Sequence, residues 1–151
     1  HSHISEKFRN DLLETLLSYD ELGHRHSPLF YIFKSFLVKN ELIMRLIFLH
    51  IYILIPLFFY KSLKILFESK HKNFLKLLSS VLLLFPTIRS YSIWPDPHLL
   101  GTVFFSISIF YFLKYKNEKK NSFRYCNLNI FFLAISAYFS PNFGILFFRF
   151  L

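Results

Sequence analysis

Apolar positions gather into four long runs, roughly Leu42 to Tyr60, Phe74 to Ile93, Leu99 to Leu113 and Leu128 to Leu151, each set off from the next by a short polar segment. A bilayer's hydrocarbon layer is about 30 Å thick and a helix rises about 1.5 Å per residue, so a crossing takes about 20 largely apolar residues. Three runs are near that length, and Leu99 to Leu113 reaches it with its flanking residues. The pattern predicts an all-α fold, a polytopic transmembrane helical bundle.

Ahead of the runs the period changes. Ile4, Phe8, Leu12, Leu13, Leu16 and Leu17 recur at helical spacing, with Glu6, Lys7, Arg9, Asn10, Asp11, Glu14 and Ser18 opposite them. One amphipathic helix lying in the membrane interface is expected there. Pro28 suits the first position of a new helix, and Leu29 to Lys39 is too short to cross, so a second interfacial or half-inserted helix follows.

Within the runs, Pro56 should kink the first span, and His50 is a polar group inside it. Pro86 lies near the outer end of the second span, while Pro95 and Pro97 forbid a continuous helix through the next loop. Gly101, Ser106 and Ser108 are small enough for close helix approach. Ser140-Pro141-Asn142-Phe143-Gly144 breaks the last run, leaving Leu128 to Phe139 as half a helix.

Charge orients these elements. Five basic residues lie between Lys61 and Lys76 and five between Lys114 and Arg124, whereas the loop from Arg89 to His98 has only Arg89, offset by Asp96. The positive-inside rule then places the two basic loops in the cytoplasm, and residues 1–28 and 89–98 on the outer face. The chain divides accordingly into 1–28, an outer-face loop with an amphipathic helix, and 29–151, the transmembrane region.

Composition agrees. Hydrophobic residues make up 54% and charged residues 18%, so a soluble fold would have to bury nearly every helix face. The net charge of +9 is clustered at the ends of apolar runs, which argues against a nucleic-acid stripe and for contacts with anionic lipid. Cys126 is the only cysteine, so no intrachain disulfide forms. The chain opens at His1 without Met and ends within an apolar run, so it is expected to be a fragment of a longer protein, with a further span upstream.

Residues able to do acid, base or anion-binding chemistry collect on the outer side: Asp20, Glu21, His24, Arg25 and His26 in the first outer segment, then Arg89, Tyr91, Asp96 and His98 in the second. A carboxylate can act as general base, and an arginine can hold a phosphate through paired hydrogen bonds. His24 and His26 with Asp20 form a weak divalent-metal candidate, since the third ligand is not fixed. No Gly-rich phosphate loop, nucleophile elbow or Cys-rich zinc pattern is present.

His26-Ser27-Pro28-Leu29-Phe30-Tyr31-Ile32, followed by Glu41-Leu42-Ile43-Met44-Arg45-Leu46 and an apolar span, resembles the His-Pro-Pro-Leu-Tyr-Tyr and Glu-Leu-Ala-Leu-Arg-Leu segments of membrane glycosyltransferases that use lipid-linked sugars. These form the GT-C superfamily, with protein O-mannosyltransferases, aminoarabinose transferases and Rgt-like enzymes. Ser27 replaces the first proline. The family's catalytic acidic pair follows its first span; here Asp20-Glu21 lies six residues before His26, closer than the family has it.

The resemblance implies an enzyme of a bacterial inner membrane that transfers a sugar from a polyprenyl-phosphate donor to a lipid, polysaccharide or protein acceptor at the outer face. Asp20 and Glu21 would be catalytic, and His24, Arg25, His26, Arg89, Tyr91, Asp96 and His98 would bind substrate. No cofactor is implied, with a divalent metal left open, and no nucleic acid is a partner. The rival reading is a transporter or a non-catalytic membrane subunit with a midplane site built from His50, Pro56 and the 140–144 break.

Overall fold

The structure is a computed structural model and describes residues 2–22, 27–37, 40–67, 71–118 and 122–146. Every regular element among them is helical: α1 (Ser2–Asn10), α2 (Leu12–Leu17), α3 (Pro28–Leu37), α4 (Glu41–Tyr52), α5 (Leu54–Leu66), α6 (Lys72–Val81), α7 (Pro86–Ile93), α8 (Pro97–Asn117) and α9 (Ser122–Phe139). Short 3-10 helices cover Tyr19–Leu22, Leu82–Leu84 and Pro141–Leu146.

Among the described residues, two helices are long and apolar enough to cross a membrane: Glu41–Leu66, which is α4 and α5 together, and Pro97–Asn117. Lys72–Leu84 and Pro86–Ile93 form a pair bent by 60°, a third if taken as one span. Leu42, Ile43, Leu46, Leu49, Ile53 and Leu57 are exposed along the first span, and only 28% of its most apolar window is buried inside the protein. Water would penalise that outward apolar row, and a hydrocarbon layer would not.

The kinks follow from proline chemistry. Pro56 has no N–H to give the Tyr52 carbonyl, and its ring crowds that carbonyl, so the first span breaks at Ile53, one turn before the proline. Ile53 N–H turns instead to the His50 carbonyl at 3.2 Å. In the same way Pro86 leaves the Leu82 carbonyl without an i+4 donor, and the chain tightens into Leu82–Leu84 before the bend.

Contacts on either side of that bend show where the chain goes. The Tyr52 hydroxyl donates to the Leu82 carbonyl at 2.9 Å, and the Arg45 guanidinium lies 4.5 Å from the Trp94 ring centre. Since α4 runs from Arg45 to Tyr52, the segment after the bend climbs back along α4 toward Glu41. The bent pair thus runs the length of the first span in the opposite direction.

Helices α8 and α9 are antiparallel neighbours. Their seam carries His98 against Ser140, Gly101 against Ser136, and Ser108 against Asn129. A Cβ on Gly101 would meet Ser140 Cβ at 3.0 Å and Phe143 Cε2 at 3.2 Å, so only glycine lets the broken end of α9 approach this closely. Ser108 Oγ donates to Asn129 Oδ1 at 2.6 Å, which shelters an amide from an apolar surround. Ser106, the third small residue, bonds back to the Thr102 carbonyl of its own helix.

Two sequence expectations change. The fourth helix starts earlier than Leu128: α9 begins at Ser122, takes in Arg124, Asn127 and Asn129, and stops at Phe139, at the expected Ser140-Pro141 break; it is not among the helices long and apolar enough to cross. The N-terminal amphipathic segment is two helices. Asp11 turns extended and its carboxylate accepts the Glu14 N–H at 3.1 Å, capping α2 and ending α1. Only Ile4 and Phe8 of the expected apolar face are buried; Leu13 and Leu17 are exposed.

Candidate functional site

Helices α1 and α3 form an aromatic platform against Phe48 of α4. Phe8 stacks on Tyr31 with ring centres 6.4 Å apart, Tyr19 tilts against both rings, and Phe30 and Phe33 meet Phe48 edge-on at 6.3 Å. Pro28 is the first residue of α3, as its fixed φ and absent N–H favour. Burial, reinforced by the Tyr31 and Tyr138 phenols, pushes the Tyr19 hydroxyl up to about 12. Lys34 on α3 is pulled below the usual lysine range by burial, with Glu41 opposing.

Asp20 and Glu21 sit on the 3-10 helix Tyr19–Leu22, both exposed. Their neighbour Tyr19 ties them to α4: it tilts against Tyr31, Tyr31 packs on Phe30, and Phe30 meets Phe48, three residues from Arg45 at Trp94. The segment that carries Asp20 and Glu21 and the segment that ends at Trp94 therefore both pack on α4, and Ser140 Oγ bonds His98 Nδ1 at 2.9 Å at the start of α8. His24, Arg25 and His26 lie outside the described residues.

The segment from Arg89 to His98 is compact. Asp96 is the N-cap of α8, its carboxylate accepting the His98 N–H at 2.8 Å, with Pro97 as the first helical residue. Tyr91 lies against His98 with ring centres 5.8 Å apart. Asp96 thus has a structural task that its position just before Pro97 announces, while its other oxygen remains for a ligand. The Arg89 side chain is exposed, and among the described residues no carboxylate pairs with it. It lies five residues before Trp94 on a helix climbing toward the Glu41 end, deeper than the Trp94 ring.

At the same end Arg45 bonds Glu41 Oε1 at 2.8 Å beneath Trp94, which is 62% exposed. Tyr19 is the member of this region that sequence reading missed, and Ser140 was read as part of a break rather than as the partner of His98. Ser140 carried a signal in the Ser-Pro break, but no local pattern announces a contact made across a helical seam. Among the described residues no three His, Cys, Asp or Glu side chains gather as a metal-ligand set.

The midplane candidates have other partners. His50 is exposed and its Nδ1 lies 2.7 Å from the Leu46 carbonyl of its own helix. Pro56 is buried at the kink, and the 140–144 break is fastened to His98, Gly101 and, through stacked Phe143 at 4.8 Å, to Phe105.

The opposite end is basic. Lys61 at the start of one charged segment and Lys114 at the start of the other both lie over the Phe110 ring, at 6.0 and 5.4 Å. Comparison with protein-family models, curated proteins and solved structures gives no match.

Proposed function

We propose that this protein is a polytopic, GT-C-like membrane glycosyltransferase that moves a sugar from a polyprenyl-phosphate donor to a lipid, polysaccharide or protein acceptor at the outer face of a bacterial inner membrane. The reading starts from the His26–Ile32 and Glu41–Leu46 resemblance. One observation supports it above the rest: Tyr19, beside Asp20 and Glu21, packs on Tyr31 and through Phe30 on Phe48 of α4, the same helix whose Arg45 lies at Trp94 in the segment that leads to Asp96 and His98. Acidic and anion-binding candidates are thereby tied to one helix, near the end where a donor with its tail in the bilayer would present its headgroup.

In the proposed step Asp20 or Glu21 takes the proton of the acceptor hydroxyl. The acceptor oxygen attacks the anomeric carbon, the bond from that carbon to the phosphate oxygen breaks, and polyprenyl phosphate departs with the electron pair. Arg89 stabilises the charge that develops on the phosphate. Its depth below Trp94 suits the phosphate of a membrane-embedded donor, and an exposed arginine at that depth without a carboxylate is costly unless an anion meets it.

The test is transfer from a radiolabelled polyprenyl-phosphate sugar in membranes that carry the protein. Asp20→Asn or Glu21→Gln should lower the rate by about a hundredfold or more, with donor binding retained. Arg89→Lys keeps charge but loses the planar fork and should weaken transfer markedly. Wild-type rates in all three variants would remove this assignment.

A further inference from the structure

The basic end holds a second cluster that the proposed reaction does not use. Lys61 Nζ sits 5.0 Å from the Phe58 ring centre and 6.0 Å from that of Phe110; Lys114 Nζ sits 5.4 Å from Phe110 and 5.0 Å from Tyr125. Two ammonium groups, one from α5 and one from α8, thus share one ring. Phe58 and Phe110 meet edge-on at 5.7 Å, and Tyr111 stacks on Tyr125 at 6.2 Å, so the floor is a continuous aromatic surface between helices.

Rings attract a cation but do not neutralise it. The only carboxylate paired with the cluster among the described residues is Glu118, 3.7 Å from Lys114 and half exposed. Lys64 and Arg124, both exposed on the adjoining turns, add positive charge. Among the described residues the cluster therefore has an excess of cation over carboxylate. Its neighbours Leu57 and Leu66 are exposed apolar side chains on the same helix, which sets it at the lower edge of the outward apolar surface.

We propose that Lys61 and Lys114 form an interhelical site for a phosphate-bearing anionic headgroup, supplied by a phospholipid of the leaflet at the basic end. Basic sites between membrane helices at headgroup depth recognise anionic lipids through their phosphates. Here one phosphate meets two ammonium groups drawn from different helices, so the lipid also ties α5 to α8. The aromatic floor holds both lysines in place and limits the side-chain freedom lost on binding.

The experiment uses the purified protein in nanodiscs of phosphatidylcholine containing phosphatidylglycerol, and measures by mass the lipid retained after extraction into detergent. Wild type should retain phosphatidylglycerol in preference to phosphatidylcholine. The Lys61→Gln/Lys114→Gln variant should retain it about tenfold less, and Lys61→Arg/Lys114→Arg should keep most of it. Lys72→Gln/Lys76→Gln, which removes the same charge from exposed sites on α6, should match wild type. Lys61→Gln alone, at an exposed position that folding does not depend on, should already show a loss. Equal loss in the α6 variant would reduce the effect to net charge and overturn the site, as would full retention in the Lys61 and Lys114 variants. If inorganic phosphate alone stabilises the protein as much as the lipid does, the ligand is a free phosphate and the lipid assignment falls.

Discussion

The Tyr52 hydroxyl donates to the Leu82 carbonyl across 2.9 Å, joining the kink of the first span to the bend of the next. The bond follows from sequence chemistry on both sides. Pro86 removes the N–H that would have reached Leu82, leaving the Phe85 N–H at 3.2 Å as the carbonyl's only backbone donor. A tyrosine from the neighbouring helix supplies the second. In an apolar layer a carbonyl's unused capacity is expensive, so neighbouring side chains are what allow prolines to bend helices there.

Tyr52→Phe should therefore lower stability by about 1 kcal/mol, near the upper part of the range for hydrogen bonds between membrane helices. Pro86→Ala restores a backbone donor for Leu82, and in that background the Tyr52→Phe cost should fall toward zero. A double-mutant cycle followed by thermal unfolding in detergent measures the coupling. Equal costs in the two backgrounds would show that Tyr52 contributes only packing.

Gly101 makes a sharper steric prediction. The hypothetical Cβ lies 3.0 Å from Ser140 Cβ, which is anchored to a helix end and cannot swing aside. Gly101→Ala should cost about 1–3 kcal/mol by overpacking, and Gly101→Val more. Gly144→Ala is the control, because its Cβ would meet only Ala137 Cβ at an ordinary 3.8 Å. If both alanine variants melt together with wild type, the α8–α9 approach is looser than described.

Much of this architecture was legible one residue at a time. Pro28, Pro56, Pro86 and the Ser140-Pro141 break each mark a helix start or interruption, because proline acts through its own ring and its missing N–H. Gly101 and Ser108 were readable as contact positions for the same local reason. What escaped were decisions made by partners. Asp11 could have continued a helix, and only its cap on Glu14 shows that it ends one. Asn129 reads as a defect in an apolar run until Ser108 is found facing it. In the candidate site the chemistry-bearing types were visible and Asp96 before Pro97 already signals a cap, but the His98 bond to Ser140 depends on how distant segments fold together.

Sidedness can be checked directly with single cysteines in a Cys126→Ser background. Ser92, the natural choice in the second outer segment from sequence alone, is fully buried with its hydroxyl on the Arg89 carbonyl, so it would fail to react for reasons unrelated to topology. Ser90 is exposed on the same helix, and Asn73 and Asn117 are exposed at the basic end. With an impermeant thiol reagent on intact cells, Ser90→Cys should label while Asn73→Cys and Asn117→Cys are protected until the membrane is opened. The reverse pattern would turn the proposed catalytic end toward the cytoplasm.

Tyr19 offers a titration of the aromatic platform that joins the N-terminal helices to α4. Burial is the main cause that raises its hydroxyl to about 12, with Tyr31 and Tyr138 adding to it, so the folded protein holds this proton more tightly than the unfolded chain does. A group with a raised folded pKa contributes stability that is complete below its unfolded value, about 10 for tyrosine, and is lost as pH climbs through the folded value. Between pH 10 and 12 the N-terminal helices should therefore loosen from α4, which hydrogen exchange in α1 and α3 would report. Tyr31, also raised by burial, works in the same direction, so Tyr19→Phe should blunt the alkaline loosening and Tyr19→Phe/Tyr31→Phe should abolish most of it. An alkaline profile identical in wild type and the double variant would mean that other groups drive the loosening, and that the Tyr19 and Tyr31 rings do not hold the N-terminal helices against α4.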